Sequence, residues 1–193
     1  MDRNDPPWYP LTDAARGIGF ATRLDPDNPC YNTAECVEFT EPVDAEALRS
    51  ALRTVYAENE GFRVELDQRG SELGWRPLDI DEFLRRVTVG RSIGLEATPD
   101  EARRTVLDWC AETVGTALDV ERGRTVDSAI IECGGRQWFY HCFHHLVADG
   151  FAAFDALRRV GQVYGRILEG EAPEPAHRPG LAAVSYTHLT LPT

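Results

Sequence analysis

From Asp44 onward the apolar positions of the chain fall into two alternating rhythms. Leu48, Ala51, Leu52, Val55 and Tyr56 follow the i, i+3, i+4, i+7, i+8 spacing of one helix face, and Asp44 stands at the capping position. Phe62, Val64 and Leu66 alternate with polar residues, which predicts a strand ended by Asp67–Gly70. A short strand is expected near Leu73–Leu78, with loop or helix after it as far as Gly94. Thr98-Pro99-Asp100-Glu101 reads as a helix start, with Thr98 as cap, Pro99 first in the helix and Glu101 closing a capping box. Ala102, Val106, Trp109, Cys110, Thr113 and Ala117 form its apolar stripe. Two strands, Thr125–Cys133 and Arg136–His144, flank Gly134-Gly135, a pair that tolerates the positive φ of a tight hairpin. A last helix is predicted over Phe151–Leu168, with Ala153, Leu157, Val160, Tyr164 and Ile167 on one side.

The ends carry weaker patterns. A short helix is expected near Asp13–Phe20, and a strand over Asn32–Thr40 with Val37 and Phe39 on one face. The Glu-Pro-rich stretch after Gly170 reads as linker or loop. Ser185–Thr193 has no formal charge with histidine neutral, unlike the rest of the chain, and reads as a translated cloning scar outside the fold. Strands alternating with helices, plus one hairpin, predict an α/β class: a two-layer mixed sheet with helices.

Composition narrows the function classes. A net charge of −12 argues against general affinity for nucleic acid or anionic lipid, and every one of the 20 basic residues is Arg. The five cysteines are scattered and odd in number, which fits free thiols in a reducing compartment better than a disulfide frame or zinc knuckle. No leader-like segment and no long uncharged apolar run is evident, so a cytoplasmic protein with no membrane partner is expected.

The candidate chemistry lies at the end of the second hairpin strand, in His144-His145-Leu146-Val147-Ala148-Asp149-Gly150. Strand periodicity puts Phe139, His141, Phe143 and His145 on one face and Trp138, Tyr140, Cys142 and His144 on the other. The adjacent histidines therefore cannot do the same job. One packs against a neighbouring element while the other can face a cleft. The same alternation argues against a zinc site built from His141, His144, His145 and Asp149, so no metal is expected. Asp149 can cap the following helix or orient a partner, and Gly150 suits an unusual backbone angle. His141 reads as a residue backing the cleft, Trp138 and Tyr140 as core, and Arg158-Arg159 as a solvated face that an acidic partner could use.

This segment resembles the H-H-x-x-x-D-G signature of nonribosomal peptide synthetase condensation domains, members of the chloramphenicol acetyltransferase-like superfamily. Pro10-Leu11-Thr12 through Ala14, then Gly17-Ile18, is similar to the family's opening motif, with Ala15 and Gly19 where Gln and Trp are usual. Leu24-Asp25-Pro26 and Pro29-Cys30-Tyr31-Asn32 resemble its next conserved run. Phe62-Arg63-Val64-Glu65-Leu66 stands where the family has L-R-T-R-F, with Glu65 replacing the second Arg, and Ala117–Gly123 resembles P-L-D-L-E-R-G.

The resemblance implies a chloramphenicol acetyltransferase-like lobe over residues 1–180, the N-terminal half of a condensation domain whose C-terminal lobe is missing. It implies amide bond formation between aminoacyl or peptidyl thioesters, with His145 as the catalytic residue, acting as base or as positioner. His144, Asp149, Gly150 and Arg63 are then motif-structural, with Arg63 the candidate partner of Asp149, because a buried carboxylate needs one. No directly bound cofactor is implied: substrates ride on the phosphopantetheine of carrier proteins, and the partners are those carriers, the missing lobe and adjacent synthetase modules. An epimerization domain or stand-alone acyltransferase with the same motif is the enzymatic alternative, and a non-catalytic docking module or inactive fragment is the other. The intact histidine pair argues against the heterocyclization branch.

Overall fold

The computed structural model describes residues 7–176 and 178–182. Among them are seven strands in two sheets, β1 (Tyr9–Pro10), β2 (Asn32–Glu38), β3 (Val64–Arg69), β4 (Glu72–Pro77), β5 (Thr88–Leu95), β6 (Val126–Cys133) and β7 (Arg136–His144). Five α-helices join them, α1 (Asp13–Leu24), α2 (Ala45–Glu58), α3 (Ile80–Arg86), α4 (Ala102–Val114) and α5 (Gly150–Leu168).

The main sheet runs β2-β7-β6-β5; β5 pairs parallel with β6 and the other neighbours are antiparallel. Its centre is the β6–β7 hairpin. Gly134 and Gly135 both take positive φ, +54° and +76°, as the two-residue turn requires. The period-two rule then sorts β7 cleanly. Phe139 and Phe143 join Leu48, Leu52, Val55, Tyr56, Ala153, Val160 and Val163 in the core between the sheet and α2/α5. Trp138, Tyr140 and Cys142 pack instead with Ala102, Val106 and Cys110 of α4 on the opposite face. The sequence-distant Cys36 and Cys110 pack in this same cluster, and all five cysteines are free.

The mixed α/β class is as expected, with helices on both faces of the main sheet and a second sheet beside it. That second sheet, β1-β4-β3, packs Val64, Leu66, Leu73 and Trp75 with Leu11, Val120 and Leu146. Three details depart from the sequence reading. The stretch before Gly94 holds a full strand, β5, directly after α3. Helix α4 starts at Ala102, not Pro99, and only the Glu101 half of the capping box forms, with the Thr98 N–H donating to the Glu101 carboxylate at 3.4 Å and the Thr98 hydroxyl donating to the same oxygen at 2.6 Å. The segment after α5 is loop, as one of the two readings has it, but no free linker, because Ala176, Arg178 and Leu181 are bound to α2, α5 and the turn after α2. The expected tail Ser185–Thr193 lies outside the described residues.

Candidate active site at the end of β7

The β2–β7 ladder carries the chain to the site. Asn32 pairs with His144, and the ladder continues one step as the His145 N–H donates to the Tyr31 carbonyl at 2.7 Å. The chain then turns tightly, with Val147 N–H on the His144 carbonyl at 3.0 Å. Asn32 braces the same end by donating to the carbonyls of Val114 (2.9 Å) and Thr116 (2.7 Å) past α4.

The two histidines separate as the alternation requires. His144 is buried and its Nδ1 accepts the Leu146 N–H at 3.1 Å, so the ring proton sits on Nε2. Nε2 faces the Thr22 hydroxyl at 3.5 Å, and that hydroxyl donates to the Ile18 carbonyl at 2.9 Å. Burial, followed by the neighbouring His145, pushes the His144 pKa down to about 4. His144 is therefore a neutral peg between α1 and the turn. His145 is exposed. Its backbone is fixed by Tyr31 while the residue stays open to solvent.

His141 backs this arrangement. Its ring stacks between Phe139 (6.0 Å, 18°) and Tyr56 (6.2 Å, 25°), with Phe62 edge-on, and its Nε2 lies 3.1 Å from the Tyr56 hydroxyl. Burial drives its pKa to about 4 as well. Trp138 and Tyr140 are buried. Among the described residues no three His, Cys, Asp or Glu side chains converge as a metal site.

Asp149 is exposed and caps α5, accepting the Ala152 N–H at 2.8 Å. The expected partnership with Arg63 is not formed. Arg63 spends its guanidinium on backbone carbonyls instead, Tyr56 at 2.9 Å, Ala57 at 3.4 Å and Leu78, and so closes the C-terminal end of α2. A cation there also meets the negative end of the helix dipole. Asp149, being exposed, has no buried charge that needs compensation. Gly150 opens α5 without positive φ, and a Cβ there would meet nothing within 4 Å. The expected unusual backbone angle is thus absent, and the space around Gly150 is open. Phe151 and Phe154 follow on α5, 89% and 67% exposed.

The departures at other motif positions have local compensation. Glu65 binds Arg76 and Arg86, which both also reach Glu82. Burial opposes ionisation of Glu65, yet the two guanidinium groups outweigh it and hold the carboxyl below its ordinary range. At Gly19 a Cβ would stand 2.8 Å from Leu11 Cδ1, so this α1–sheet contact has no room for the family's Trp unless Leu11 moves. Arg159 is not on a solvated face: it makes a two-point pair with Glu58 (2.6 and 2.9 Å), with the two side chains 13% and 9% exposed. Arg158 is the exposed member, paired with Asp155 at 2.7 Å. Glu35 is a polar group that the sequence reading passed over. It lies opposite His141 in the β2–β7 register, with Oε2 buried and unpartnered and its pKa raised by burial. Only the cross-strand register singles it out; in sequence it is one acidic residue among 32.

The family model described as "Condensation domain" matches residues 7–180. An isonitrile lipopeptide synthase of Streptomyces coeruleorubidus is 32% identical over 165 residues, 84% of this chain and 11% of that protein. A dimodular nonribosomal peptide synthase of Bacillus subtilis (strain 168) is 29% identical over 177 residues, 91% of this chain and 7% of that protein. Among solved structures, the starter condensation domain of rhizomide synthetase superposes with a TM-score of 0.80 at 21% identity, over 95% of this chain and 43% of that one. The first condensation domain of the CDA synthetase gives 0.75 at 24% identity, over 89% and 44%. The chain thus spans less than half the length of the solved domains it matches. No helix among the described residues is long and apolar enough to cross a membrane.

Proposed function

We propose, for a chain that belongs to the condensation-domain family, that it is the N-terminal lobe of a peptide-synthetase condensation domain and presents His145 to the reacting amine. The observation that carries this reading is the division of labour at the end of β7: His144 is locked as a neutral peg, and His145 is held by its backbone with its side chain exposed. Such an arrangement serves an acyl transfer in which an α-amino group attacks a thioester carbonyl. The C–N bond forms, the C–S bond breaks, and the proton lost by the amine ends on the departing pantetheine sulfur. An α-amino group has a reference pKa of about 7.7–8.0, so an uncharged nucleophile is accessible near neutrality without a strong base. An imidazole can align that amine or take its proton in transit. Alignment alone is worth up to about 7–11 kcal/mol over free encounter. The open space at Gly150 leaves room for a narrow tether to approach. On this reading the carriers of both thioesters and the second lobe are the partners, and the acyl donor and acceptor arrive on phosphopantetheine.

The test is to join the chain to its C-terminal lobe, load donor and acceptor on carrier proteins, and follow the amide by mass spectrometry. His145→Ala is expected to lower the rate at least about a hundredfold, the usual contribution of a positioned acid–base group. Amide formation undiminished in the variant would remove His145 from the mechanism. A folded wild type that racemises the donor-bound residue, with no amide formed, would assign epimerization instead.

A further inference from the structure

The turn Glu60–Phe62, between α2 and β3, makes two sets of contacts. Toward the site, a Cβ at Gly61 would lie 3.7 Å from the Val147 carbonyl oxygen, so this turn rests against the backbone of the His145 loop. In the same turn, the Glu60 carboxylate accepts the Leu181 N–H at 2.6 Å, and a Cβ at Gly180 would stand 2.9 Å from the same oxygen. Leu181 is 8% exposed and belongs to the apolar cluster that holds Leu146, Val64 and Leu66, with Val147 packed against it.

The approach to Leu181 is secured at several points. Glu58 accepts both the Arg159 guanidinium and the Ala176 N–H (3.1 Å), Arg159 also binds the Glu174 carbonyl, and Arg178 pairs with Asp155 of α5. Chain that composition marks as a linker is thus bound by charged groups of α2 and α5. It ends in a buried leucine beside the residues that follow His145.

We propose that this segment is a latch that positions the His145 loop, with Glu60 and Leu181 as positioning residues acting through Gly61, Val147 and Leu146. The proposal rests on the reading of His145 as the group that meets the substrate. Physically, the loop has two hydrogen bonds of its own, Leu146 to His144 Nδ1 and Val147 to the His144 carbonyl. A short turn of that kind frays readily unless packed from behind. The latch supplies that packing through Leu181 and Gly61.

Two measurements test it. In the 193-residue chain, hydrogen exchange at the Leu146 and Val147 amides is compared among wild type, Leu181→Ala, Glu60→Ala and Val106→Ala, the last a cavity variant in the α4 core matched for loss of melting temperature. The latch requires exchange in this loop to rise about tenfold or more in Leu181→Ala and Glu60→Ala but not in Val106→Ala. Equal acceleration in all three variants, or none, overturns it. In the domain with its second lobe restored, Leu181→Ala is expected to lower kcat several-fold with KM unchanged, and Leu181→Met to recover it. A Leu181→Ala variant that melts earlier but keeps its kcat makes the contact merely structural and overturns the proposal. If Leu181→Ala fails to fold, Glu60→Ala carries the same two criteria. Retention of activity by His145→Ala refutes the catalytic reading instead, and does so independently of the exchange result.

Discussion

Lowering the pH from 8 to 5 should weaken this lobe through its two buried histidines, and the size of the effect follows from their surroundings. Burial sets the folded pKa of both His141 and His144 at about 4, against an unfolded reference of about 6.5. The unfolded chain therefore binds more protons between those values, so stability is fully present above pH 6.5 and lost as the pH falls toward 4. At pH 5 linkage gives a loss of about 2 kcal/mol for each histidine, about 4 for the two. That is a large part of the 5–15 kcal/mol typical of a domain, and corresponds to about 8–16 °C in melting temperature. Urea titrations of wild type and His141→Gln at pH 8 and pH 5 isolate one contribution. Glutamine does not titrate, so the variant should lose about 2 kcal/mol less than wild type across this interval. Carboxylates that titrate nearby, such as Glu35 and Asp127, are common to both proteins and cancel. Parallel pH dependence in the two proteins would refute the claim that the aromatic cage keeps His141 neutral.

Other substitutions probe the motif positions. Glu65→Arg, which restores the residue usual in the family, should cost about 3 kcal/mol here, because it sets a third guanidinium beside Arg76 and Arg86; a urea midpoint that rises would show that those two arginines do not depend on Glu65. Asp149→Ala should cost about 1 kcal/mol as a lost helix cap. In a double-mutant cycle with Arg63→Ala the coupling should lie within about 0.5 kcal/mol of zero, since Arg63 serves the end of α2. Coupling above about 1 kcal/mol would restore the ion pair that the structure separates.

These cases show which parts of the molecule were legible before the structure. Helix α2 and the β6–β7 hairpin were readable because one period and one turn signal dictate each: a 3.6-residue apolar stripe, and a Gly-Gly pair between strands. The opposite facing of His144 and His145 followed from strand geometry in the same way. Strand β5 was not readable, since its Gly90 and Gly94 weaken the pattern and its pairing with β6 is parallel, so no local turn announces it. The partner of Arg63 was carried over with the motif and not read from the residues. A sequence pattern holds no distance between residues 63 and 149, and the nearer backbone carbonyls at the end of α2 win the guanidinium. Arg159 looks solvated in sequence, but its pairing with Glu58 of α2 depends on how two distant helices pack, and the chain returning after α5 then bonds Glu58 and Glu60.

The order of strands in the main sheet has a consequence for how the molecule is made. Strand β2 pairs with β7, and Asn32 waits for His144 across more than a hundred residues. At a synthesis rate of about 5–20 residues per second, β2 leaves the ribosome about 5–20 s before its partner exists. For that interval Cys36 and the apolar side of the strand have no sheet to join. The histidine loop, formed where the last-made strand closes on the first of the sheet, is then among the final parts of the lobe to take shape. Slowed translation between β2 and β7 should lengthen the exposure of β2 to chaperones and proteases while leaving the finished protein unchanged.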